Sequence, residues 1–214
     1  MRAEAPVRRG WVEPSLKAEF PGLGLARVDV TARMGRSPRE LRQRLRHLSD
    51  KVHGGRALSQ RREPIASAYR VFFRHIGIDP EDFRPPAEAA MLERLRAGWF
   101  RSRNLLDDAL LVALVETGVA VRAFDTDRIT GELGLRISQP RERLAKTGLE
   151  LPDGTIVIAD EQDSIALIFG DTGPERGVSP DTGRISLCAV QVQGVPDISV
   201  EEALWTASDI LANS

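Results

Sequence analysis

VRAFDTDRITGELGLR, residues 121–136, is where this chain changes character. Ahead of it, apolar residues recur at helical spacing; behind it come short runs of β-branched residues cut by Pro, Gly and Asp. The stretch is polar and punctuated, with Phe124 between Arg122 and Asp125, and Asp127 and Gly131 preceding the apolar LGL. It reads as a connection between a helix and a strand. Helices mostly first and strands mostly second, without βαβ alternation, predict an α+β fold and not a doubly wound sheet.

Working upstream, LGLARVDVTAR (residues 23–33) alternates apolar and polar as a half-buried strand does. Ser37 and Pro38 then supply an N-cap and a first helical residue for a helix through Leu48. On that helix Leu41, Leu45 and Leu48 face the core, while Arg39, Arg42 and Arg46 share another face. A Gly54-Gly55 break and RALSQRREP follow, then helices over about 65–76 (ending at Gly77), 88–95 (after Pro85 and Pro86) and 105–116 (before Gly118). Downstream, GELGLRIS, GTIVIADE, SIALIFG and RISLCAVQVQ read as strands. A last helix over about 200–212 has Ser199 and Glu202 as a capping box and Trp205 on its apolar side. With no repeat and no convincing linker, residues 1–214 read as a single domain, with 1–22 as an N-terminal extension.

Composition narrows the chemistry. The chain has 214 residues, 42% hydrophobic and 29% charged, with 30 basic against 31 acidic side chains and a net charge of -1. No overall field draws it to nucleic acid or membrane, so either partner must be met by a local patch. MRAEAPVRRG has no apolar run, and no window reaches the ~18 apolar residues of a membrane span, so a cytoplasmic location is expected. The single cysteine, Cys188, excludes an internal disulfide and reads as a buried strand residue. His47, His53 and His75 fit no metal-ligand spacing, and neither metal nor cofactor is expected. Phosphate-binding loop, dinucleotide fingerprint and nucleophile elbow are all missing from the sequence.

In this order and spacing, the Asn104/Asp107 pair, the Gly118 break, AFDTDRITGELGLR, GTIVIADEQDSIALIFGD and Thr182 resemble the editing domain of the phenylalanyl-tRNA synthetase beta subunit and its freestanding homologues. Gly77, Asp79, Arg84, Pro85, Ala87 and Glu88 resemble a further stretch of the freestanding members, and the likeness covers about residues 64–193. The resemblance implies helices packed on β-sheets in layers that enclose a central pocket, and hydrolysis there of wrongly charged aminoacyl-tRNA. Its site residues carry over as Asn104, Asp107, Arg122, Phe124, Asp125, Arg136, Glu142, Asp160, Gly170 and Thr182 for substrate, with VRAFDTDR as a pocket wall and its turn. Three positions depart from the pattern. Arg122 stands where His is common, Pro86 where Ser follows Arg-Pro, and Gly177-Val178 where a Glu-Val pair would read a phenolic hydroxyl. The class II aminoacylation motifs are not found, so the expected role is trans-editing of tRNA charged elsewhere.

An aminoacyl ester is already activated, so its hydrolysis needs a positioned water, oxyanion donors and exclusion of the correct amino acid more than a strong nucleophile. A chain without a triad fits that chemistry, and the tRNA's terminal hydroxyl can orient the water. Several residues have a second reading on their own chemistry. Asp125 and Asp127 serve pocket polarity or Asx capping of a turn; Arg136 and Glu142 line the pocket or pair as a bridge; Asn104 and Asp107 touch substrate or cap a helix. Between Arg33 and Arg62 lie ten basic residues and two acids, a local asymmetry suited to a phosphate backbone or to a solvated helix face, and Arg39, Arg42 and Arg46 are the candidate tRNA contacts. Two other functions stay open: a non-catalytic module for an amino acid or similar small ligand, and a tRNA- or partner-binding adaptor.

Overall fold

The computed structural model describes residues 6–52 and 63–214. Gly54-Gly55, Arg56, Arg61 and Arg62 therefore lie outside the described residues, as does His53. The fold is α+β. One antiparallel sheet has the order β1 (Arg8–Arg9), β3 (Gly24–Thr31), β8 (Arg184–Gln191), β4 (Val121–Asp125). The second runs β2 (Trp11–Val12), β5 (Gly134–Ile137), β6 (Ile156–Ala159), β7 (Ser164–Leu167), parallel between β2 and β5 and antiparallel elsewhere. The helices among the described residues are α1 (Pro14–Glu19), α2 (Arg39–Lys51), α3 (Pro64–His75), α4 (Pro86–Ala97), α5 (Leu105–Thr117) and α6 (Asp197–Ala212). None is long and apolar enough to cross a membrane.

The segment read as an N-terminal extension feeds both sheets. Gly10 carries the chain from β1 to β2: its N–H donates to the Leu25 carbonyl at 2.8 Å, and a Cβ there would sit 2.4 Å from the Leu133 carbonyl oxygen. Only a residue without a side chain passes so close to two strands at once.

VRAFD is a strand and not a connection. It pairs with β8 from Val121↔Ala189 to Asp125↔Ile185, and Thr126–Arg128 then form a single 3₁₀ turn. This register sets Arg27, Cys188 and Arg122 side by side across β3, β8 and β4. Cys188 is fully buried, as expected, and burial pushes its thiol up to about 12 despite the neighbouring guanidinium groups.

Two helix starts differ from expectation. Pro38, not Ser37, is the N-cap of α2, because the Ser37 hydroxyl is committed to Asp108, donating to its Oδ2 at 2.5 Å. The last helix begins at Asp197, since the Ser199 N–H already bonds the Pro196 carbonyl; Ser199 lies inside the first turn and caps nothing. The ends of α5 follow expectation, with the Asn104 side chain accepting from the Asp107 N–H and Gly118 closing the helix at φ +77°.

α6 packs on β3, β4 and β8 and against α5, covering the first sheet. β6 is buried throughout. Ile156 and Ile158 join the main core while Val157 and Ala159 join a smaller cluster with Leu144 and Leu151, which explains an unbroken apolar run in place of alternation. A buried ion pair, Arg70 Nη1 to Glu88 Oε2 at 2.8 Å, ties α4 to α3.

Candidate functional site

α4, the segment from Gly98 to Asn104, α5 and the start of β4 enclose a cleft of about 360 Å³. Leu110, Leu111, Leu114, Ile168, Phe169 and Val190 make its apolar wall, and Arg122 and Asp107 bring charge to it. That size and mixture suit a small ligand held by a few polar groups.

Arg122 is the centre of this geometry. Its Nη1 donates to the Leu167 carbonyl and its Nη2 to Thr172 Oγ1, both at 2.8 Å, with the guanidinium 5.7 Å from the Phe124 ring centroid. Burial pulls its pKa down to about 10, against the pull of Cys188 and Asp171, so the group stays charged at neutral pH. In this position Arg122 fastens the first sheet to the turn that follows β7 and holds a half-buried cation beside the cleft.

Gly170 belongs to that same turn, its N–H donating to the Leu167 carbonyl at 3.3 Å. It lines a second cavity of about 730 Å³, reached between α1, α3 and the second sheet. Ile168 and Phe169 line both cavities and so form the partition between them. Phe169 is held edge-on by Tyr69 and Phe72, with ring centroids 5.8 and 6.2 Å away.

The remaining sequence-selected residues are distributed as follows. Asn104 caps α5 and donates from Nδ2 to Asp107 Oδ2 at 2.9 Å, which draws Asp107 back toward the helix end. Phe124 is wholly buried in the core. Asp125 accepts from Thr182 Oγ1 at 2.8 Å and from the Asp127 N–H at 3.0 Å, joining the end of β4 to the loop before β8. Asp160 is buried and accepts the N–H groups of Gln162 and Asp163 at 2.8 Å and of Thr130 at 3.0 Å. Arg136 and Glu142 form a forked pair, at 2.6 and 2.7 Å. The structure thus brings Asp107 and Arg122 to one cleft, places Gly170 next door, and sets Asp125, Thr182, Asp160, Arg136 and Glu142 in side-chain networks of their own.

Burial alone would push the Glu142 carboxyl up, but the two Arg136 donors and the Gln139 N–H outweigh it and hold it down at about 2. A carboxyl depressed in the fold stabilises above its unfolded value, near 4.5, and loses that contribution as the pH falls through about 2. The melting-temperature gap between wild type and Glu142→Gln should therefore be widest above pH 4.5 and close toward pH 2. A gap independent of pH would remove the ion pair from the account.

Sequence reasoning missed Asp108, which is fully buried and accepts from Ser37 Oγ and Ser102 Oγ at 2.5 Å and from the Arg103 N–H at 2.9 Å. It ties the residue just ahead of α2's N-cap and the Gly98–Asn104 segment to α5 at the edge of the cleft. The doubled Asp107-Asp108 in the first turn of a helix already capped by Asn104 was the available signal. Arg176 was missed as well: it pairs with Asp163 at 2.7 Å and reaches Asp160 at 3.5 Å.

The model of the B3/4 domain family matches residues 68–202, more than half of the chain, so the chain belongs to the B3/4 domain family. At the level of individual proteins it is similar to the "Phenylalanine--tRNA ligase beta subunit" of Idiomarina loihiensis, 32% identical over 119 residues that make up 53% of this chain and 15% of that one. It is likewise similar to the same subunit of Photorhabdus laumondii, 36% identical over 105 residues (46% and 13%), and of Nitrosococcus oceani, 32% over 114 residues (52% and 14%). The aligned part therefore spans no more than 15% of the length of these relatives.

Proposed function

We propose that this B3/4 domain binds aminoacylated tRNA and hydrolyses the ester of a wrongly attached amino acid, acting in the cytoplasm on tRNA charged elsewhere. The observation that carries the reading is the cleft lined by both Asp107 of the N-x-x-D helix and Arg122 of the AFD strand, in a chain similar to subunits named for phenylalanine–tRNA ligation. The apolar wall sorts side chains by size and shape. The Arg122 charge, held in a partly dry site, stabilises the negative charge that develops on the ester carbonyl oxygen. Water is the nucleophile, oriented by the terminal hydroxyl of the tRNA. Folded protein mixed with mischarged tRNA should release amino acid above the uncatalysed rate.

The tRNA itself meets α2. Arg39, Arg42 and Arg46 are exposed there and carry no ion pair among the described residues, whereas Arg44 on the same helix pairs with Glu116 at 2.5 Å. Exposed, uncompensated arginines suit phosphates. Changing all three to Ala should lower the salt dependence of tRNA binding by about 2 to 3 units, at roughly 0.9 per phosphate lost. An unchanged slope would take α2 out of the interface.

A specific observation favours a second reading, retention of a free amino acid without hydrolysis: all three acids of the cleft are already engaged, Glu93 by Arg103, Asp107 by Asn104 and Asp108 by three donors. Ligand-induced thermal stabilisation without deacylation would support it.

A further inference from the structure

Trp99 is 58% exposed, whereas Phe100 beside it is 6% exposed. It sits at the cleft and is firmly placed. Before it, Gly98 ends α4 at φ +86°; after it, Phe100 is buried, with its N–H on Ser49 Oγ at 2.8 Å. The indole is therefore presented by a segment anchored immediately on both sides, and not by a wandering loop.

The cleft carries a small positive excess, with Arg94, Arg101, Arg103 and Arg122 against Glu93, Asp107 and Asp108. Arg96 and Arg101 are exposed and form no ion pair among the described residues. Arg103 pairs with Glu93 at 3.3 Å, and Arg94 donates to the Ser49 carbonyl at 2.7 Å. Of the acids at the cleft, Glu93 is ion-paired with Arg103, Asp107 is bonded to the neutral Asn104 amide, and Asp108 is buried under two hydroxyls and a backbone N–H. This leaves an aromatic plate flanked by uncompensated arginines, the combination that single-stranded nucleic acid uses: π-stacking for a base, cations for its phosphate. The segment also abuts the arginine-bearing helix, since Ser49 of α2 contacts Phe100 and Arg94, and Ser37, just ahead of α2, contacts Asp108.

We infer that Trp99 is the stacking platform for the 3′-terminal nucleobase of the RNA, with Arg101 on the adjoining phosphate; this rests on the reading of the cleft as an aminoacyl-ester site. A cleft of about 360 Å³, at the small end for ligand pockets, does not hold an aminoacyl group together with the nucleotide that carries it. The nucleotide must lie at the mouth, where Trp99 stands. Stacking there fixes the position of the ester relative to Arg122, so that the terminal base supplies the register and the apolar wall alone decides which side chain is accepted.

The test uses tRNA with 2-aminopurine as its 3′-terminal nucleotide, whose fluorescence is quenched on stacking. Wild type and Trp99→Phe should quench it; Trp99→Leu, which keeps an apolar side chain at an exposed position and should fold, should not, and should bind about ten-fold more weakly. Arg101→Gln should reduce the salt slope of binding by about 1. Full quenching and affinity in Trp99→Leu, with wild type still deacylating tRNA, would overturn the platform and leave the function intact. Wild type that neither binds nor deacylates tRNA would overturn both.

Discussion

An Asp160→Ala variant is expected to melt about 10 °C below wild type. Three backbone N–H groups, from Thr130, Gln162 and Asp163, end on this one buried carboxylate, and Arg176 approaches it at 3.5 Å. Removing the acceptor strands three N–H groups and takes one of two carboxylates from Arg176, which keeps Asp163, at about 3 to 5 kcal/mol in total, and a protein of this size loses roughly 2–4 °C per kcal/mol. Asp160→Asn, which retains an acceptor oxygen, should lose about half as much. Thermal unfolding followed by circular dichroism reads both variants. If Asp160→Ala melts with wild type, the carboxylate is not the organiser of the turn between β6 and β7, and its presence there would have to be explained by a ligand.

Arg122→Met should lower both stability and function. The variant takes the guanidinium, now at 2.8 Å from each, away from the Thr172 hydroxyl and from the Leu167 carbonyl, which keeps the Gly170 N–H at 3.3 Å, for a cost of about 1 to 2 kcal/mol. It also removes the half-buried cation from the cleft, and loss of one such stabilising group typically costs about 100-fold or more in rate. The informative comparison is with Arg122→Lys. Lysine keeps the charge but cannot fork between Leu167 and Thr172, so a variant that recovers hydrolysis while remaining destabilised would separate the charge from the tether. Equal hydrolysis by Arg122→Met and wild type would move the chemistry away from this residue.

Long elements with strong boundary residues were legible in the sequence. α5 announces itself through Asn104 and Gly118, and the apolar runs of β6 and β8 through their β-branched residues. Two-residue strands are a different matter: Arg8–Arg9 and Trp11–Val12 have no period of their own, and only their registers with β3 and β5 define them. VRAFD escaped for a related reason, since a five-residue strand ending in Asp-Thr-Asp looks locally like a turn, and its pairing partner β8 lies some sixty residues away. At the site, residue types were readable but their partners were not. Arg136 with Glu142 and Asn104 with Asp107 were recognisable as pairs by proximity in sequence, and both are paired in the structure. Asp125 with Thr182, Arg122 with Leu167 and Ser37 with Asp108 join segments 45 to 71 residues apart, which no local pattern encodes. Trp99 was passed over because its exposure is a property of the folded surface.

The central claim, hydrolysis of misplaced aminoacyl esters in the Arg122 cleft, is tested most directly by deacylation. Purified protein is mixed with a panel of tRNAs, each charged with correct and incorrect amino acids, and ester loss is followed against the uncatalysed rate, with Arg122→Met alongside. The account predicts acceleration on one or a few mischarged pairs, sparing of the correctly charged tRNAs and near-background rates for the variant. Background rates throughout, from protein shown to be folded, would contradict it.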